Sequence, residues 1–220
     1  MSEKLIKSIT CPKCSQQSET EIICSVNTIT TPSARELIFN ENIFRWKCPK
    51  CGFRKKLMHP LLYNDIENKF MIYCIPKVER SQVADEKLEM EFSDLSYINK
   101  RIVPDLNTMK EKIVLFEKGI NDMALELTKL AVSEVVAKST GLTVYAGYFS
   151  DMNKEKNSIS FQFFVGTNFR SYMQTTRLEV YNRSLEIVKK YFPNEQKRSG
   201  FLNINQNWAK NALQKYKNSK

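Results

Sequence analysis

Two copies of one tetrapeptide, Cys11-Pro12-Lys13-Cys14 and Cys48-Pro49-Lys50-Cys51, lie 33 residues apart in the chain. Each Cys-x-x-Cys turn can present two sulfurs to one ion. Two turns together supply the four soft ligands that Zn2+ takes at about 2.3 Å in tetrahedral geometry. Pro12 pre-sets a backbone φ of about −65° for its turn. Gly52 follows the second pair and permits tight folding, whereas Ser15 holds that place after the first, so a looser first knuckle is expected. A thioredoxin-like redox motif occurs once, in a βαβ unit, and needs no second copy. A disulfide framework would imply secretion, and residues 1–20 carry neither an apolar signal core nor a small-residue cleavage site. The expected ligands of one structural Zn2+ are therefore Cys11, Cys14, Cys48 and Cys51, in a cytoplasmic protein.

Four thiolates around Zn2+ leave a net charge of about −2, a cost that nearby cations lower. Lys13, Arg45, Lys47, Lys50, Arg54, Lys55 and Lys56 crowd the two motifs. One reading is that they offset the thiolates. The other is a nucleic-acid surface built from Arg45, Lys47, Arg54, Lys55 and Lys56. The net charge of +10 is unevenly spread, at +4 over residues 1–75, −2 over 76–150 and +8 over 151–220. A basic C-terminal third steers phosphates or serves solubility.

Signals for catalysis are sparse. The six glycines form no G-x-G or P-loop pattern, and no G-x-S-x-G elbow occurs. His59 is the sole histidine, which excludes multi-histidine metal sites, and followed by Pro60 in an apolar stretch it reads as a packed or surface residue. Asp65, Glu67 and Lys69 loosely resemble a nuclease triad. Residues so close together should be strung along one turn and strand rather than converge. Cys24 and Cys74, outside the pairs, read as small buried hydrophobes. No window approaches the roughly 20 apolar residues of a membrane span.

Several elements must position the cysteines. Residues 19–30 alternate as a strand with Ile22, Cys24 and Val26 on one face. Pro32 and a Ser33–Glu36 capping box predict a short helix to about Phe39. Strands over 43–47 and 53–58 enter and leave the second motif, with Phe44 and Trp46 on one face, where core packing is a better reading than base stacking. Residues 59–65 read as an apolar loop that something must cover, and 70–75 as an interior strand ended by Pro76. Residues 81–94 are a surface connection or weak helix, and 95–103 a strand.

Helical periodicity begins at Asp105, with a Thr108–Glu111 capping box and Ile113, Leu115 and Phe116 leading to Gly119. A second helix starts at Asn121 or Asp122, carries Met123, Leu127, Leu130, Ala131 and Val135, and ends at Gly141. A hairpin of strands 143–149 and 159–165 turns at 151–157. A helix then carries Tyr172, Leu178, Tyr181, Leu185, Val188 and Phe192 to Pro193. Asn205 caps a last helix with Trp208, Ala209, Ala212, Leu213 and Tyr216 inward, and Lys210, Lys215 and Lys217 toward solvent.

These features resemble the bacterial and archaeal CpXC-domain proteins. The likeness is carried by both Cys-Pro-Lys-Cys motifs, by Phe44-Arg45-Trp46-Lys47 through Gly52, by Pro60-Leu61-Leu62-Tyr63, and by Arg101-Ile102-Val103 through Lys112-Ile113 to Phe116-Glu117-Lys118-Gly119. It covers roughly residues 9 to 135. It implies a zinc-ribbon-like module followed by helices and no established activity. The expected fold class is α+β. The domains read as a zinc-ribbon-like module over 1–104, a helical segment over 105–141, and a hairpin with two basic amphipathic helices over 142–220. The expected function is a non-catalytic, zinc-structured module with a protein partner. The alternatives are nucleic-acid binding and an enzyme with an unfamiliar site.

Overall fold

The computed structural model describes residues 4–76, 97–196 and 200–219. The fold is α+β, and contacts divide it into two units, Met1–Lys110 with Ser199–Leu202, and Glu111–Arg198 with Asn203–Lys220.

In the first unit, strands β1 (Lys4–Thr10) and β2 (Gln17–Ile23) form an antiparallel ribbon, paired from Lys4↔Ile23 to Thr10↔Gln17, and the first cysteine pair sits in their connection. β1 was not anticipated, because its residues lie almost wholly exposed and show no buried alternation. The single strand expected over 19–30 is two. β2 stops where its partner begins, and β3 (Ser25–Asn27) joins a different sheet. The hand-over falls at Cys24, whose carbonyl accepts from Leu62 N at 2.8 Å.

Helix α1 (Ala34–Phe39) forms as expected and buries Ala34 and Ile38, but without the capping box. Ser33 has φ −80° and ψ 0°, so its hydroxyl does not reach the helix amides. A 3-10 turn over Asn42–Phe44 then replaces the start of the strand expected from residue 43. Its cap, Glu41, takes a left-handed φ of 62° and bridges Lys56 (2.6 Å) and Lys110 (2.8 Å). Lys110, then Lys56, hold its carboxyl down at about 2. Strands β4 (Arg45–Lys47) and β5 (Arg54–Lys56) flank the second cysteine pair as an antiparallel hairpin.

The apolar stretch expected to be a loop is mostly strand β6 (Leu61–Asp65), which buries Leu61, Tyr63 and Asp65. With β3, β7 (Phe70–Cys74) and β8 (Asn99–Val103) it makes a sheet in the order β3-β6-β7-β8, antiparallel only between β6 and β7. β7 is the expected interior strand, with Phe70, Met71, Ile72 and Cys74 buried on both faces. The chain returns at Leu202 to bridge Arg101 of β8, and Phe201 packs edge-on to Tyr73. The expectations for residues 81–94, and for 95–96 of the strand read over 95–103, lie outside the described residues.

Helix α2 (Leu106–Glu117) is capped by Asp105, whose carboxylate accepts from Thr108 N and Oγ1, both at 2.9 Å. Thr108 is therefore not the cap, and Glu111 is freed for another role. The division between the units falls within this helix.

In the second unit, helix α3 (Asp122–Thr140) has the expected ends: Asn121 accepts from Ala124 N, and Gly141 closes it at φ 67°. Residues 122–128 are buried all round; farther on, Val132 and Val136 are buried while Val135 is 56% exposed, so the expected stripe is displaced by one residue. Strands β9 (Val144–Asn153), β10 (Ser158–Val165) and β11 (Arg170–Arg177) form an antiparallel meander in the order β9-β10-β11. β11 overturns the helical reading of Tyr172, which pairs with Phe163, so helix α4 (Leu178–Tyr191) starts later. The short α5 (Pro193–Gln196) and α6 (Gln206–Asn218) complete the unit, with Asn205 capping α6 through Trp208 N at 3.0 Å.

β10 alternates cleanly, burying Ile159, Phe161, Phe163 and Val165. A Cβ at Gly147 of β9 would lie 2.5 Å from the buried Phe163 ring. Gly147→Ala should therefore cost about 1–3 kcal/mol through overpacking, read as a lower urea midpoint. An unchanged midpoint would refute this packing.

Candidate metal centre

Both cysteine pairs sit in the same backbone frame. Cys11 N donates to Gln16 O (2.9 Å) and Ser15 N to Cys11 O (2.9 Å); Cys48 N donates to Phe53 O (2.8 Å) and Gly52 N to Cys48 O (3.0 Å). Ser15 takes φ 57° where Gly52 takes 71°. The first knuckle is therefore not looser in its hydrogen bonds. Serine adopts the glycine conformation at a cost of about 1–2 kcal/mol.

These frames bring together the sulfurs of all four cysteines, within 4.8 Å of one another. Cys11 Sγ lies 3.6 Å from Cys51 Sγ, and Cys14 Sγ 3.7 Å from Cys48 Sγ. Each short contact joins one knuckle to the other. A tetrahedron with metal–sulfur bonds of about 2.3 Å has edges of about 3.8 Å, so the donor set and its spacing fit a metal ion.

The thiols are electrostatically unequal. The backbone amide of Cys51, aided by that of Lys50, takes Cys48 down to about 6 against the effect of burial. At Cys14 the Gln16 amide favours the thiolate, but burial and the other three sulfurs outweigh it and push the thiol up to about 12. The Cys48 proton leaves easily and the Cys14 proton does not. A bound cation would supply the charge that lets four thiolates coexist.

Trp46 closes one side of the cluster. It packs with Cys11 and Cys48, joined by Ile9, Phe53 and Leu57, and its Nε1 donates to Thr20 Oγ1 at 2.9 Å. That bond ties β4 to β2, and nothing in the sequence marked it. Phe44 is buried against His59, with ring centroids 5.0 Å apart. His59 is itself buried, and its Nδ1 lies 3.0 Å from Pro60 O, so it is a packed residue. Both aromatics thus belong to the core.

Asp65 caps the β6–β7 turn, accepting from Asn68 N (3.1 Å) and Nδ2 (2.9 Å), while Glu67 and Lys69 are exposed. The three residues follow a turn. Cys74 is fully buried, and burial, then Asp105, push its thiol up to about 12. Cys24 is half-buried, with its sulfur 3.9 Å from Ile22 O. Both stand outside the cluster.

Arg45, Lys47, Arg54, Lys55 and Lys56 are all exposed and line one shallow concavity of about 510 Å3 with Trp46. Lys56 pairs with Glu41, and Arg45 Nη2 donates to Asn40 O at 3.3 Å. The second unit also holds a charged group that nothing in the expectations covers, formed by the buried Glu111, Lys112, Asp122 and Glu126 and the half-buried Lys129. Acids at 122 and 126 and a lysine at 129, on one face and set among the apolar residues 123–125, 127 and 130, are its signal in the sequence.

The architecture is that of a mixed α+β protein carrying a four-cysteine cluster that could hold a metal ion. A profile of the family described as CpXC protein matches residues 9–129, more than half of the chain, and the chain belongs to that family. No curated protein and no solved structure gave a match. Among the described residues, no helix is long and apolar enough to cross a membrane.

Proposed function

We propose that Cys11, Cys14, Cys48 and Cys51 hold one structural Zn2+, and that the chain is a non-catalytic, cytoplasmic protein-interaction module organised by that ion. The carrying observation is the spacing of the four sulfurs, with inter-knuckle contacts of 3.6 and 3.7 Å. Four thiolates complete a tetrahedral shell and leave no position for water or substrate, so the metal contributes to folding rather than to reaction. None of the six cysteines is in a disulfide, which suits a reducing compartment. Leu5 and Ile6, 57% and 70% exposed on the β1–β2 ribbon, favour a protein partner.

The test is purification of the full chain from its native host, with metal content and co-purifying protein measured on one sample. One zinc per chain and a stoichiometric protein partner are expected. A preparation without zinc would defeat the metal assignment, and a partner-free chain the interaction role.

A further inference from the structure

The register of the β4–β5 hairpin places Arg45 directly opposite Lys56 and Lys47 directly opposite Arg54, with Trp46 opposite Lys55 between them. Residues paired across a ladder share a face, so Arg45, Lys47, Arg54 and Lys56 all project from one side. Trp46 packs against Cys11 and Cys48, so the pleat turns these four cations the other way. Like charges directly opposite each other destabilise a hairpin. Here two such pairs are stacked in succession on a hairpin of only three residues per strand. Glu41 compensates Lys56, but among the described residues Lys47 and Arg54 have no ion-pair partner.

We propose that this face binds the phosphate backbone of a nucleic-acid duplex. The site rests on the metal-held hairpin proposed above and adds its ligand. Arg45 and Arg54 offer planar forks suited to phosphate oxygens. The choice of duplex over single strand follows from Trp46, which is 5% exposed and leaves this face no ring for bases to stack on. A purely cationic face gains most from the polyanion of highest linear charge density, and a duplex carries one charge per about 1.7 Å. Binding is therefore independent of sequence.

The test is fluorescence anisotropy of the full, zinc-loaded chain with a labelled DNA duplex over a salt series. Three uncompensated cations, Arg45, Lys47 and Arg54, predict a log–log salt slope of about −2.7, a loss of affinity of about 40-fold between about 50 and 200 mM salt. Lys47→Gln with Arg54→Gln should flatten the slope to about −0.9, a loss of only about 3-fold over the same range. Lys189→Gln with Lys190→Gln, which removes equal charge from exposed positions of α4, should leave the slope unchanged. Absence of binding at about 50 mM salt overturns the proposal, as does an equal effect of the two double variants. Polyglutamate competing as well as the duplex would also overturn it, in favour of an acidic protein. Zinc is measured on each sample, so zinc without duplex binding sinks this proposal alone, and duplex binding without zinc sinks the metal assignment alone.

Discussion

Cys48→Ser is expected to abolish stoichiometric zinc and to unfold the cysteine-bearing part of the first unit. Cys48 is 1% exposed, and the backbone amides of Cys51 and Lys50 take its thiol down to about 6. A serine hydroxyl offers neither the charge nor the softness of that ligand. The consequence for folding follows from what the cluster joins. β1–β2 and β4–β5 are separate two-stranded sheets, and an isolated pair of strands is marginal in water. Trp46 and the four sulfurs form the packed centre between them. Structural zinc contributes about 10–16 kcal/mol of apparent binding energy in small zinc-finger peptides, far more than this little core can replace. Elemental analysis should show zinc falling well below one per chain, and amide exchange should lose protection in β1, β2, β4 and β5. Cys24→Ser, outside the cluster, should retain both. Full zinc in the Cys48 variant would show that another set of ligands holds the ion.

The convergence of the four cysteines was legible because its information is local. Each tetrapeptide dictates its own turn, and repetition supplies the other half of the shell. The same holds for Asn121, Asn205 and Gly141, whose capping roles depend on residues within a turn of themselves. Locality also explains the failures at Ser33 and Thr108. Both match the capping-box pattern, but Asp105 supplies the cap of α2, and the backbone at Ser33 points its hydroxyl elsewhere. β1, β6 and β11 were missed for a different reason. Each is defined by its partner strand, and β11, with no buried residue, only half-buried ones at alternate positions, and no apolar run, owes its form to pairing with β10. The split at Cys24 has the same origin, since only the parallel partner β6 reveals that the chain changes sheets.

The basic residues illustrate a further limit. Composition counts Arg45, Lys47, Arg54, Lys55 and Lys56 alike, whereas the hairpin register separates four of them onto one face and leaves Lys55 opposite Trp46. Charge near a metal site and charge available to a ligand become distinguishable only once the pleat is known.

Lys112→Met is expected to destabilise the second unit by about 3–5 kcal/mol, the usual cost of removing one partner from a buried ion pair. Lys112 is fully buried on α2, with Nζ 2.9 Å from Asp122 Oδ2 and 3.5 Å from Glu126 Oε1, both on α3. Glu126 and Glu111 also hold Lys129, at 2.9 Å each. Burial disfavours the Lys129 ammonium, yet Glu111 and Glu126 outweigh it and raise its affinity for the proton. Glu111 additionally accepts from Phe149 N at 2.6 Å, which extends the group to β9. Without Lys112, Asp122 loses its 2.9 Å ion pair and Glu126 its 3.5 Å one, and methionine fills the space without supplying charge. Removing Asp122 as well, in Lys112→Met with Asp122→Asn, should cost less than the sum of the single changes, because both single changes break the same ion pair. Urea unfolding of the four proteins in that cycle measures the coupling. Strict additivity would mean that Lys112 and Asp122 do not depend on each other, and that apolar packing alone, not this charge pair, sets α2 against α3.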